Sequence, residues 1–302
     1  MTHRLEPQNL EYSRLKTLDK RILNEFCDHM EELEEIMDSF DQLPAFRCNN
    51  GRQTAVKGAG GFRGHAKRYR MQRRWPDMSI MMEYLRQLQK NNQRDWFQSH
   101  KELRKEAEAE FEELLQELME RIACFDSSIN GFAPKELTFK QVRDTRFSKD
   151  KTPYLPAFRA HISAKGKLPI PVGYYIHLMP DNQSFLGGGL FADMFKDATA
   201  MMRDAIAAKP EEFSAIIEAP SFKDHFTITG TKLKRVPKGY DPDHSMASYL
   251  CHKSWCLEYP LMDNEVEDRE KFLTLACTLF HAMKPFHDFM NTALQDFQFP
   301  QR

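Results

Sequence analysis

The chain has 302 residues, 41% hydrophobic and 12% aromatic, with 43 Lys and Arg against 44 Asp and Glu for a net charge of −1. That supplies a packed core for one large domain or two small ones, and the balanced charge excludes a global attraction to nucleic acid or to an anionic membrane. Cys27, Cys48, Cys124, Cys251, Cys256 and Cys277 form neither a CxxC pair nor a small secreted framework, and no apolar leader or bilayer-length run is present, so we expect a reduced, soluble, cytoplasmic protein.

Leu15, Leu18, Ile22, Phe26, Met30, Leu33, Met37 and Phe40 recur at steps of three and four and predict an amphipathic helix over 11–40. Its stripe packs on the domain, on a second copy of itself, or on a protein partner. Arg47 to Arg74 then carries nine Lys or Arg, no Asp or Glu, and five glycines, which predicts a disordered linker. Its basic character also suits RNA or an acidic surface, so any contact with nucleic acid is expected only through 47–74. The expected organisation is a helical extension over 1–46, a linker over 47–78 and one domain over 79–302. An alternative reading takes 1–78 as an upstream start choice, with Met78, Met81 or Met82 as the beginning.

Within 79–302, Met81, Met82, Leu85 and Leu88 predict a short helix that Asn91 and Asn92 interrupt. A longer one follows with Leu103, Ala107, Phe111, Leu114, Leu115, Leu118, Met119 and Ile122 on one face. At its opening, Asn92 reads as cap, Asp95 as a first-turn acid and Trp96 as core anchor; alternatively, Arg94, Asp95 and Trp96 wall a pocket. Strands are expected at 138–143, 157–163, 172–179 and 184–190, joined by turns short enough for an antiparallel meander. Alternation puts Phe158, Ala160 and Ile162 on one face of the second strand, and Arg159, His161 and Ser163 on the other. In the third, Tyr174, Ile176 and Leu178 oppose Tyr175 and His177. Further helices are expected at 193–208 and after Pro210, and further strands at 222–229 and 255–259. A last helix opens on an Asn264/Glu267 capping box and is kinked or split at Pro285, with His281 and His287 as packing or surface residues. The fold class is therefore α+β, an antiparallel sheet backed by long helices.

The most site-like stretch is Gln141 to Tyr154, followed by Leu155 to Ala160: Arg143, Arg146, Lys149, Lys151 and Arg159 stand against Asp144 and Asp150. Paired guanidinium forks match the oxygens of a phosphate or carboxylate, so we expect a small anionic ligand held by Arg143, Arg146, Lys149, Tyr154 and Arg159. Gly188 and Gly189 would permit close backbone approach to that ligand ahead of a helix N-terminus. The competing reading makes Gly187–Gly189 a bulged strand and pairs Arg143 and Arg146 with Asp144 and Asp150. His161 and His177 are the candidate general bases should there be a reaction. GxSxG, HExxH, CxxC, Walker and GxGxxG patterns are absent. Asp241, Asp243 and His244 read as turn and cap, and Cys251, His252 and Cys256 lack zinc spacing, so no metal is expected. No cofactor is implied.

Four blocks, NNQRDWF at Asn91–Phe97, RDTRFSKDKTPY at Arg143–Tyr154, GGGLF at Gly187–Phe191 and LKRVPKGYDPDH at Leu233–His244, resemble in content and order the bacterial and fungal family called domain of unknown function 2461. The resemblance covers about residues 79–294, leaving 1–78 as an addition to the family pattern. It implies no activity, cofactor or catalytic residue, so the alternative to an anion-binding domain stays open: a protein or RNA interaction module built on the 11–40 helix and the 47–74 arm.

Overall fold

A computed structural model describes residues 79–129, 131–146 and 148–300. The expectations for 11–40 and 47–74 lie outside the described residues.

Ser79–Lys90 forms α1, burying Met81, Met82, Tyr84, Leu85 and Leu88. The expected long helix is two: α2, Arg94–Ser99, and α3, Lys101–Ile122, which meet at His100, where φ and ψ leave the helical region. Along α3, Ala107, Phe111, Leu114, Leu115, Leu118 and Ile122 are buried at helical spacing, so tertiary burial rather than propensity holds it in place. Asn92 caps neither helix. Its carboxamide clasps Tyr154 instead, donating to the Tyr154 carbonyl at 2.7 Å and accepting from the Tyr154 N–H at 3.1 Å.

Four strands, β1 (Phe158–Ile162), β2 (Tyr174–Leu178), β3 (Ser184–Leu190) and β4 (Trp255–Leu261), pair antiparallel in sequence order. The expected strand at 138–143 is not formed: the segment meets β1 through the isolated bridge of Thr138 to Ala160 and the Phe139 N–H, which donates to the Arg159 carbonyl at 3.0 Å, while Val142 bridges to Tyr154, outside the four strands. The expected strand at 222–229 is likewise absent. Pro220–Lys223 is a helical turn, favoured by proline at the first position, and only Thr229 bridges to Cys256.

After β3 come α4, Lys196–Ala208, and α5, which opens on Pro210 and ends at Glu218. The last helix, α6, is Arg269–Ala293 and runs unbroken through Pro285 rather than splitting there. Its cap is Asp268, whose carboxylate accepts from the Lys271 N–H at 3.1 Å. The expected Asn264/Glu267 box is replaced two residues earlier by Glu265, which accepts from the Met262 N–H at 2.8 Å ahead of the helical turn Asp263–Glu267.

The helices pack on the face carrying Phe158, Tyr174 and Gly188. Phe111 of α3 lies 5.1 Å from Phe158 between ring centroids, Phe280 of α6 lies 4.9 Å from Tyr174, and His287 of α6 lies 5.0 Å from Tyr174. Among the described residues, no helix is long and apolar enough to cross a membrane.

Candidate functional site

The strand register sets the site. Arg159 stands opposite His177 and His161 opposite Tyr175 across β1 and β2, while His177 faces Phe185 across β2 and β3. Successive residues of a strand point to opposite faces, so these side chains share the face opposite the one on which α3 and α6 pack. All five are buried.

Arg159 donates from Nη2 to the Lys140 carbonyl at 3.0 Å, and its guanidinium carbon lies 5.5 Å from the centre of the Phe139 ring. Lys167, in the β1–β2 turn, places its ammonium 5.8 Å from the same ring and donates to the Thr138 carbonyl at 3.3 Å. Two cations therefore converge on one aromatic ring, an arrangement its quadrupole favours. Burial pulls the His161 pKa down to about 4, against hydrogen bonds to the backbone of Gly166 and Lys167 that raise it. The imidazole is thus neutral at pH 7, with one N–H to donate and one ring nitrogen to accept.

The basic loop between the Val142 and Tyr154 bridge partners is built differently. Arg143 is folded inward, donating to Asp150 Oδ2 at 2.6 Å and to Thr152 Oγ1 at 2.8 Å. Arg146, largely exposed, donates from Nε to Asp144 Oδ2 at 2.6 Å. Both aspartates are held below the usual carboxylate range, Asp144 chiefly by its bond from the Arg146 side chain and Asp150 chiefly by the Thr152 N–H and then Arg143. Lys151 donates to the carbonyls of Thr145 and Arg146, while Lys149 is exposed. These are the loop-internal Arg–Asp pairs of the competing reading, and they cross-brace the loop.

Tyr154 anchors the base of that loop. It is buried, its ring stacks on Phe97 at 3.8 Å and 9°, and Arg104 covers the other aromatic partner at 4.2 Å. With the Asn92 clasp, this joins the NNQRDWF and RDTRFSKDKTPY blocks into one unit. Nothing in the linear sequence announces that pairing, because the partners lie 62 residues apart. Trp96 behaves as an anchor, stacking on His100 at 4.2 Å, while Arg94 and Asp95 are exposed.

The glycines stand elsewhere. Gly188 lies on the helix-facing side, where an added Cβ would sit 2.5 Å from His287 Nε2, and the Gly189 N–H donates to that same nitrogen at 3.1 Å. Gly189 also has φ +92°, with the Trp255 carbonyl 2.2 Å from its Cβ position, so glycine is required there by conformation and by space. The structure thus brings Arg159, His161 and His177 together and places Gly188 on the opposite face. Asp193 does not open α4 as expected. Its carboxylate accepts from Ser254 Oγ at 2.6 Å and from Thr231 Oγ1 at 2.5 Å, fastening the end of β3 to the approach to β4.

Asp241 accepts from the Asp243 N–H at 2.9 Å, and His244 is engaged by the Met246 N–H at 3.0 Å. Among the described residues, no group of three or more His, Cys, Asp or Glu is disposed to hold a metal ion. An open cleft of about 710 Å³, lined by Ile80, Glu83, Arg86, Leu103, Glu106, Asn264, Glu267 and Asp268, contains none of the candidate ligand-binding or catalytic residues.

Residues 80–289 match the pattern of a family described as conserved hypothetical protein DUF2461. No curated protein and no solved structure matches the chain.

Proposed function

Since this chain belongs to the DUF2461 family of conserved hypothetical proteins, a description that names no activity, we propose from its geometry that it binds a small anionic metabolite bearing a phosphate or carboxylate. The observation that carries this reading is the juxtaposition of Arg159, His161 and His177 on one sheet face, with Lys167 converging from the adjoining turn. A guanidinium on a strand is held by the sheet, so little ordering entropy opposes its grip on an oxyanion. Arg143, Arg146, Lys149 and Tyr154 contribute a braced basic loop beside it, in which Arg143 and Arg146 are already engaged by carboxylates.

Binding is favoured over proton transfer. A base whose conjugate acid has a pKa of about 4 is a weak proton acceptor at pH 7, and general catalysis is most effective when the two nearly coincide. Four free thiols among the described residues, Cys124, Cys251, Cys256 and Cys277, support work in a reducing compartment such as the cytoplasm.

The test is a thermal-shift and titration screen of the full chain against phosphorylated and carboxylated metabolites. A ligand at about 100 times its dissociation constant stabilises the folded state by about 2.7 kcal/mol. A hit abolished by Arg159→Met and retained by Arg146→Ala supports the reading. A hit retained by both, or none for a chain that unfolds cooperatively, removes it.

A further inference from the structure

The open cleft lies where α1 begins. Ile80 and Glu83 reach it from the first turns of α1, Leu103 and Glu106 from the start of α3, and Glu267 and Asp268 from the turn and cap ahead of α6. Ile80 and Leu103 are half-buried and give it an apolar surface among carboxylates. Its one cation, Arg86, is already paired with Glu267 and lies 3.4 Å from Asp263 Oδ2. Glu83, Glu106 and Asp268 are exposed and form no ion pair among the described residues. Glu83 accepts from the Gln87 carboxamide at 2.8 Å and Asp268 from the Lys271 N–H at 3.1 Å, and neither donor is a cation. Three unpaired carboxylates around one concave surface repel one another and concentrate positive charge.

The chain carries a matching positive charge next to it. Lys67, Arg68, Arg70, Arg73 and Arg74 fall in one short run, 47–74 holds no Asp or Glu, and only residues 75–78 separate Arg74 from Ser79. At about 3.3–3.6 Å per extended residue, the path from Arg74 to Ser79 spans at most about 18 Å. So short a tether presents the run to the cleft at an effective concentration in the millimolar range, enough for weak exposed ion pairs to form. Independently of the anion-binding reading, we infer that the cleft is the docking site of this chain's own segment Lys67–Arg74: its charged groups pair with Glu83, Glu106 and Asp268 while their alkyl stems lie on Ile80 and Leu103. Docked there, the segment has its charge neutralised, and any RNA or acidic partner of the arm must compete with the cleft for it.

Carbodiimide coupling of the full, unsubstituted chain at low salt, read by mass spectrometry, tests this. The expected product joins the Lys67 ammonium to Glu83, Glu106 or Asp268, lies within one chain when isotope-labelled and unlabelled protein are mixed, and falls at least about threefold in about 0.5 M salt. In parallel, trypsin should cut the segment at least about threefold faster in Glu83→Gln/Glu106→Gln/Asp268→Asn than in the unsubstituted chain, with cleavage at Lys16 and Lys20 as the reference. Asparagine at 268 keeps a cap for α6. Absence of intrachain coupling, or equal cleavage in the two folded chains, overturns the inference. Coupling found only between labelled and unlabelled chains gives the cleft to a second copy's arm and overturns it as well. The coupling result on the unsubstituted chain decides the matter even if the triple variant does not fold.

Discussion

The two faces of the sheet are made from the same strands and solve different problems. On the helix-facing side Phe158, Ala160, Ile162, Tyr174, Ile176 and Leu186 interlock with α3 and α6, and even a glycine hydrogen at 188 is matched by an imidazole. There the close packing of an interior sets the choice of residue. On the other side Arg159, His161 and His177 are buried beside three aromatic rings, a composition that costs desolvation and that stability alone would not select. The difference separates substitutions that should damage folding from those that should damage binding.

Acid titrates both faces and should give the largest effect. Burial lowers His161 and His252 to about 4 and His287 to about 3, so in the unfolded chain each takes up a proton below about pH 6.5 that the native state refuses. Stability is therefore fully present above pH 6.5 and is lost as pH falls towards 4, on the order of 3 kcal/mol per histidine. Urea unfolding at pH 7 and pH 4.5 measures it. His161→Gln should remove the polar face's share of the slope and His287→Gln the helix face's share, and an unchanged slope in both would contradict the assignment.

Phe158→Ala empties a site bounded by Phe111 and Tyr84 and should cost about 3–5 kcal/mol in chemical denaturation. Arg159→Met, nearly equal in volume, should change stability by less than about 1 kcal/mol while abolishing ligand binding. A large loss of stability there would make Arg159 a structural residue. Gly188→Ala forces a methyl against His287 and should cost about 1–3 kcal/mol with little effect on ligand affinity. Asn92→Ala removes both bonds to the Tyr154 backbone and should cost about 1–2 kcal/mol, read as a lowered melting temperature with faster proteolysis within 143–153. Arg146→Ala, on an exposed pair, should leave the midpoint unmoved.

Periodicity alone determined much of this protein. The stripe from Ala107 to Ile122, the alternation in Phe158–Ile162 and Tyr174–Leu178, the turn signals between strands and the proline opening α5 are local patterns, and each produced the expected element, as did the shared face of Arg159, His161 and His177. What only the tertiary structure decided depends on partners distant in sequence. Asn92 clasps Tyr154 rather than capping a helix, because a carboxamide suits both roles and the nearby backbone of residue 154 offers it a donor and an acceptor together. Arg143 spends its charge on Asp150 within its own loop, whereas Arg159, a strand residue, is committed to the sheet face. Gly188 and Gly189 serve the approach of His287, and that requirement is written 98 residues away in a helix whose path through Pro285 no local rule specifies. Local pattern selects elements because it acts through neighbouring side chains; a site is made of contacts between elements, and those are chosen only when the core closes.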